Sequence, residues 1–416
     1  MFLLMFHNLA DMLSIIKRYD SITLILWLSL VVFGIVNIYS TEYLHSNSLW
    51  LKQCLWFGVS LLCFFLMTFI DGKLYIKLAY IIFFFSILIM IFTLLLGHGV
   101  RGHRSWIKFG QVYIQPSEFL KLTCSLAISR KLNNCKISFS LKDRMHQLII
   151  LFTSVGSVLL QNDFGSAFTF LSFFLLFFIY GLSVVIILLM FYFLVLLLLV
   201  VIFPTNVILV SVCFCGCVTM FLLDNRIKFI LFFVTTLSAI FFCDYVKNNV
   251  FKPYHVDRIR GVFSNDKDKL GKKWNILQSK IAIGSGGMMG KGFLNGTQTK
   301  YGFLPSRSTD FIFCSICEEF GFVGVAVLIL VYLLLLFRLN LIAERQKYRF
   351  AQVFAYCTLC VIFFCFLTYI SMVVGLFPII GIPLPFISYG GSSLLSLSIM
   401  IFITLYFDSL RNDTII

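Results

Sequence analysis

The sequence predicts an all-α protein: a polytopic integral membrane bundle that crosses the bilayer about twelve times. Three observations carry that prediction. The chain of 416 residues is 60% hydrophobic and only 12% charged, against about 25% charged for a soluble globular protein. Its apolar residues fall into runs of the roughly 20 residues needed to cross about 30 Å of hydrocarbon. Neither the alternation of a barrel strand nor a heptad array is present.

Taken in order, clear spans are predicted near 22–40, 50–70 and 75–97. Three shorter or more polar ones follow near 116–130, 147–161 and 166–180. The segments 183–203, 206–223 and 227–245 are almost free of ionisable residues, and the last three spans lie near 311–337, 350–374 and 391–409. Such a series is not a signal peptide. It reads as a single membrane domain over 1–416, with one large outer loop at 245–310.

Basic residues in short loops set the sidedness. Arg130, Lys131, Lys136, Lys142 and Arg144 share one loop, and Arg338, Arg345, Lys347 and Arg349 share another. Both lie inside if the N-terminus, with Lys17 and Arg18, is cytoplasmic. An even number of spans returns the C-terminus to the same side. Two basic segments then fall outside: 98–115, with Arg101, Arg104 and Lys108, and the loop 245–310, where twelve Lys or Arg face four Asp, a balance of +8. Long loops cross regardless of charge. A basic outer surface beside the bilayer also attracts a polyanionic, lipid-borne ligand. Nucleic acid is a poor partner on that face.

Thirteen cysteines are present, and all but Cys135 fall in apolar spans. An extracellular disulfide framework is thereby excluded. The pairs Cys314/Cys317 and Cys357/Cys360 have metal-like spacing but no histidine partners, so they read as small packing residues; no metal site is expected.

The acidic residues are more specific. Asp310 sits where an apolar span begins, and Glu318 and Glu319 follow about 12 Å deeper at 1.5 Å per helical residue. Glu118 and Lys121, in QPSEFLKL, share a helix face and can pair. Ionisable groups within a span are costly and face a partner or a cavity. The bland alternatives are a charge pair that lets a short span tolerate polarity and, for Asp310, an ordinary helix N-cap.

Seven blocks carry a family resemblance: IQPSEFLKL at 114–122, QNDFGS at 161–166, ILQSKIAIGSGG at 276–287, GKGFLNGTQ at 290–298, LPSRSTDFIF at 304–313, EEFGFVG at 318–324 and GIPLPFISYGGSS at 381–393. In this order they resemble the SEDS family (shape, elongation, division and sporulation), from about residue 20 to the C-terminus. GKGFLNGTQ and ILQSKIAIGSGG are more similar to the elongation branch than to the division branch. The resemblance implies a peptidoglycan glycosyltransferase that polymerises lipid II into β-1,4 glycan on the outer face of the bacterial cytoplasmic membrane. The implied partners are a class B penicillin-binding protein and other membrane proteins of the elongation complex. No certain cofactor is implied, and a divalent cation (Mg or Mn) stays open.

Such a transfer needs a base on the acceptor hydroxyl and cations on a diphosphate leaving group. Asp310 matches the family's catalytic aspartate. Glu118, Lys121 and Asp163 match its polar-cavity positions, where they would position substrate or support Asp310. Arg258, Arg260 and Lys280 are the candidate cations for diphosphate. Glu318 and Glu319 are expected to be structural or gating groups, and SYGGSS at 388–393 is expected to form a re-entrant or kinked segment beside the cavity.

The chain also departs from the family. Ser105 stands where a basic residue is usual before the tryptophan, Asn162 replaces the proline of QPD, and the residues before Asp310 read SRST. Tyr369 and Ser371 replace an asparagine and a glycine. About ten spans are usual in the family; the 94 residues between Asp163 and Asp257 leave room among 183–245 for two more of about 20 residues each. Three other functions remain open at this stage: a division-type paralogue with the same activity, a lipid II flippase, and a non-catalytic scaffold.

Overall fold

The structure is a computed structural model that describes residues 18–43, 48–100, 103–110, 112–133, 141–181, 184–222, 226–250, 256, 259–260, 274–304 and 306–411. A helical segment occupies each predicted span. These are α1 (Ser21–Glu42), α2 (Leu49–Met67), α3 (Gly72–Leu96), α4 (Pro116–Asn133), α5 (Leu141–Leu160), the pair α6 (Phe164–Thr169) and α7 (Ser172–Ile179), α8 (Val184–Ile202), α9 (Thr205–Leu222) and α10 (Arg226–Tyr245). Beyond them α11 (Trp274–Ser285) and the single turn α12 (Thr297–Lys300) lie within 245–310. Three long helices close the chain: α13 (Ile312–Arg345), α14 (Arg349–Val374) and α15 (Gly391–Ser409). Among the described residues six helices (α1, α2, α3, α13, α14 and α15) are long and apolar enough to cross a membrane, with shorter apolar helices between them.

One element is additional to the predicted bundle. A three-stranded antiparallel sheet, β1 (His98–Val100), β2 (His103–Phe109) and β3 (Val112–Ile114), joins α3 to α4. Lys108 pairs with Tyr113 and Phe109 with Val112 across a turn in which Gly110 has φ 59°. Ser105 is buried in β2, so the position before Trp106 brings a hydroxyl inward, not a cation.

Local chemistry fixes the helix ends. Asp20 caps α1 by accepting from the Thr23 N–H at 3.0 Å, and Pro116 opens α4, where its missing N–H leaves no bond unmade. Gly375 closes α14 in the left-handed region at φ 81°.

The apolar core runs through α1, α4, α13, α14 and α15, with Trp27, Phe170, Tyr332, Phe354 and Phe402 among its largest buried rings. Among the described residues, those of helices α8 to α10 do not join it. They bury Leu196, Val200, Ile208, Ile240 and Cys243 in a separate cluster, which makes them a satellite beside the bundle. One end of that satellite is stitched by polar groups: Thr205 donates to Asp244 at 2.6 Å and Lys247 to the Val200 carbonyl at 2.6 Å.

At the end opposite the Asp310 motif, Asp20 and Asp408 bind arginines from α13. Arg338 bonds Asp20, and Arg345 bonds Asp408, with its Nε at 2.8 Å. Burial disfavours the Asp20 carboxylate, but the hydrogen bonds from Thr23 and Arg338 outweigh it and hold its pKa below the usual value. A lowered folded pKa contributes stability that is complete above the unfolded value, about 3.9, and is lost as pH falls through the folded one. Thermal stability is therefore expected to fall on acidification below about pH 4, and Asp20→Asn to remove part of that fall while lowering stability at neutral pH. An unchanged acid profile in Asp20→Asn would contradict this assignment.

Candidate active site

Asp310 lies on a turn, residues 306–311, at the mouth of α13. The turn is closed by N–H groups of Thr309 and Phe311 that donate to the Ser306 carbonyl at 3.1 and 3.3 Å. Phe311, not Asp310, occupies the N-cap position, and its side chain makes no capping bond. Asp310 is thus one residue outside the position an ordinary cap would hold. The third N–H of this region, that of Phe313, donates to the Tyr369 hydroxyl at 3.2 Å. Tyr369 is fully buried and within electrostatic range of Asp310. Sequence reasoning marked Tyr369 only as a departure; its contact with the start of α13 had no signal in the chain.

The segment 375–390 between α14 and α15 is non-helical and meets the Asp310 turn directly. The Tyr389 N–H donates to the Ser308 carbonyl at 2.9 Å, and the Ser388 hydroxyl to the Thr309 carbonyl at 2.7 Å. Gln53 of α2 bridges the same strip, donating to the Ser388 carbonyl at 3.4 Å and accepting from the Gly390 N–H at 3.3 Å. Gly391 permits this: a Cβ there would lie 2.0 Å from Trp56 Nε1. The expected kinked segment is therefore present, with its backbone groups engaged by protein as irregular structure at membrane depth requires.

Two residues further on, Ser392 accepts from the Gln115 N–H at 3.0 Å. That bond leads into the second half of the site. Gln115 Nε2 donates to Asp163 at 2.7 Å and to Ser166 at 3.1 Å; Asp163 also caps α6 through the Ser166 N–H at 3.1 Å. One turn into α4, Glu118 and Lys121 pair at 2.8 Å, both almost fully buried. Lys121 is also in electrostatic range of Asp163. The i, i+3 pair read from the sequence forms as expected.

Asn162 has φ 61°. Asparagine tolerates that region, whereas proline is locked near −65°. The loss of proline from this motif is therefore a different turn, one that still delivers Asp163 to Gln115.

The candidate diphosphate cations are not gathered with these groups. Lys280 is exposed on α11, packed against the end of α14, where a Cβ on Gly375 would lie 3.0 Å from its Cε. The Arg260 Nε donates to the Val201 carbonyl at 3.0 Å, at the C-terminal end of α8 in the satellite. Arg258 and Arg101 lie outside the described residues. The cation nearest in sequence to Asp310 is Arg307, which is buried on the same turn and was not singled out from the sequence.

The deeper carboxylates have contacts of another kind. Glu318 accepts from the N–H groups of Thr297, Gln298 and Thr299 at 2.7, 2.9 and 3.2 Å, from both threonine hydroxyls, and from Lys291 Nζ at 2.7 Å. Glu319 accepts from Ser40 of α1. Just below, α13 is broken at Gly321, with φ 64° and ψ −163°. The glycine-rich run fills the break. Phe322 and Val323 donate to the carbonyls of Gly287 and Met288 at 2.9 and 3.1 Å, and Lys291 and Gly292 donate to those of Glu318 and Glu319 at 2.9 and 3.0 Å. These are the contacts of a structural clamp. Among the described residues no cluster of three His, Cys, Asp or Glu side chains could hold a metal ion.

Fold and site together define a multi-pass membrane protein whose polar groups converge at the ends of its helices on one side of the bundle. Its sequence matches the cell cycle protein family of FtsW, RodA and SpoVE over residues 20–211 and 185–412, and the chain belongs to that family, the SEDS family. The two matched segments overlap within α8 and α9, where the chain has room for extra helices. The chain is 30% identical over 379 residues to the peptidoglycan glycosyltransferase MrdB of Escherichia coli K12, covering 91% of this chain and 90% of the relative. It is also 30% identical to the peptidoglycan glycosyltransferase RodA of Treponema pallidum, covering 91% and 95%. Among solved structures it resembles a chain of a peptidoglycan synthase complex that coordinates polymerization and crosslinking, at 25% identity and TM-score 0.70, covering 95% and 99%. The rod shape determining protein RodA of Thermus thermophilus shares the fold at 24% identity and TM-score 0.62, covering 94% and 97%.

Proposed function

We propose that this protein is a peptidoglycan glycosyltransferase of the elongation type, which polymerises lipid II on the outer face of the bacterial cytoplasmic membrane with both termini cytoplasmic. The observation that carries the reading is the segment 388–392, which bonds the turn of Asp310 through the Ser308 and Thr309 carbonyls and bonds Gln115, the partner of Asp163, through Ser392, with the Glu118–Lys121 pair one turn further along α4. A carboxylate at the start of one span and a buried charge pair near the start of another support the reading.

In this reaction Asp310 takes the proton of the acceptor hydroxyl as its oxygen attacks the anomeric carbon of the donor sugar. The bond from that carbon to the diphosphate oxygen breaks, and the lipid diphosphate leaves. Glu118, Lys121 and Asp163 hold the strip that faces Asp310 in a fixed arrangement, and Lys280 is the candidate to attract the diphosphate. A class B penicillin-binding protein is the proposed partner.

The test is purified protein incubated with labelled lipid II, with and without its cognate penicillin-binding protein. Glycan strands are the expected product. Transport of lipid II across vesicles without polymer, insensitive to Asp310 but sensitive to Glu118, would favour the flippase reading instead. The sidedness has its own check. Tyr301 is 68% exposed on the segment that leads to Asp310, so Tyr301→Cys in a background without reactive thiols should react with an impermeant reagent in intact cells. Labelling only after lysis would overturn the outer placement and the mechanism with it.

A further inference from the structure

Glu42 closes α1 at the same end of the bundle as the Asp310 turn, and it is 5% exposed. Its nearest charged partner is Arg307, 8% exposed, three residues before Asp310 and on the same turn. The two form only a loose ion pair: Arg307 Nε lies 3.9 Å from Glu42 Oε1, beyond hydrogen-bond reach. The second oxygen, Glu42 Oε2, is buried without a hydrogen-bond partner. Arg307 uses Nη1 on the Thr299 carbonyl at 3.0 Å, which fixes the guanidinium and leaves the rest of its five donors for another acceptor. A buried carboxylate oxygen without a hydrogen bond is expensive unless something fills the gap.

The chemistry of the gap narrows what fits. A diphosphate would satisfy Arg307 but be repelled by Glu42. A free cation would do the reverse. A neutral group that both donates and accepts satisfies both: a sugar hydroxyl, or an acetamido group whose N–H meets the carboxylate and whose C=O meets the guanidinium. We propose that Glu42 and Arg307 form a carbohydrate subsite that binds a hydroxyl or acetamido group of the sugar presented to Asp310. This rests on the glycosyltransferase reading above. The anchor is well built for that purpose. Thr299, whose carbonyl holds Arg307, is itself held by Glu318 through its N–H at 3.2 Å and its hydroxyl at 3.1 Å. The Ser306 carbonyl closes the turn that sets Arg307 and Asp310 three residues apart.

The test compares Glu42→Gln, Arg307→Lys and the charge-reversed pair Glu42→Arg/Arg307→Glu with wild type. Each is measured for folded yield, for kcat and KM in lipid II polymerisation, and for equilibrium binding of lipid II in an Asp310→Asn background, where turnover does not interfere. The expected result is a KM and a binding constant raised by about tenfold, which is about 1.4 kcal/mol, with kcat changed much less. A hydrogen-bonded sugar group is worth that order. The reversed pair should recover folded yield but not lipid II affinity, since it restores attraction between α1 and the Asp310 turn without the donor and acceptor positions. Recovery of both affinity and yield in the reversed pair would make the pair a structural tie and overturn the proposal. So would unchanged affinity in folded Glu42→Gln and Arg307→Lys. If wild-type protein makes no polymer and binds no lipid II, the glycosyltransferase reading itself fails, and the two failures are thereby distinct.

Discussion

Asp310→Asn should abolish most glycan-strand synthesis while leaving folded protein intact. Loss of a positioned general base lowers rate by about 10²–10⁴-fold, or about 3–5 kcal/mol of barrier. The cap position of α13 belongs to Phe311, the turn is closed by the Ser306 carbonyl, and the next free N–H, that of Phe313, is met by Tyr369. Asparagine keeps the size of the side chain and its hydrogen-bonding oxygen but cannot hold the acceptor's proton. The measurement is polymer formed per folded molecule from labelled lipid II, compared with wild type at several pH values. A near wild-type rate in Asp310→Asn would remove it as the base. The Asp310 turn would then be a scaffold, and the base would have to be sought along the strip that carries Asp163 and Glu118.

Much of this arrangement was legible in the chain, and what escaped did so for definable reasons. Span positions follow from apolar run length, which depends only on the local sequence, so every predicted span coincides with helix. The Glu118–Lys121 pair follows from i, i+3 spacing on one helix face. The sheet at 98–114 was missed because its strands are short, contain or are separated by Gly99, Gly102 and Gly110, and carry basic residues, which masks the alternation of a strand. The break in α13 was hidden differently. EEFGFVG reads as continuous apolar helix, and a lone glycine there is compatible with one. What breaks it is the pairing of Gly287 to Gly292 with Glu318 to Val323, a contact across about thirty residues that periodicity does not record. The glycine-rich run held the only local hint. Arg260 shows the same limit: its charge is visible in the sequence, but its bond to the end of α8 depends on where the satellite helices pack.

The same break supplies the prediction with the largest effect on folding. Glu318→Ala should sharply reduce folded yield and thermal stability. Removing the carboxylate strips six donor contacts at once, including three backbone N–H groups and Lys291. Loss of such a buried, multiply bonded charge costs roughly 3 kcal/mol or more. Gly321→Ala should act on the same joint by a different route. Its φ of 64° is disfavoured for a residue with a side chain, and the added Cβ would sit 2.3 Å from the Gly290 nitrogen, a backbone atom that cannot turn aside. Neither variant touches Asp310 directly. Both release the 286–300 segment that carries Thr299, and through it the Arg307 side chain. Glu318→Gln should fall between wild type and Glu318→Ala, because its carbonyl oxygen still accepts from the backbone but the ion pair with Lys291 is gone. Thermal midpoints of detergent-solubilised variants, followed by size-exclusion chromatography after heating, give the comparison. For molecules that remain folded, the rate per molecule should stay well above that of Asp310→Asn. If Glu318→Ala is as stable as wild type yet makes no polymer, the clamp is not structural, and Glu318 takes part in the chemistry.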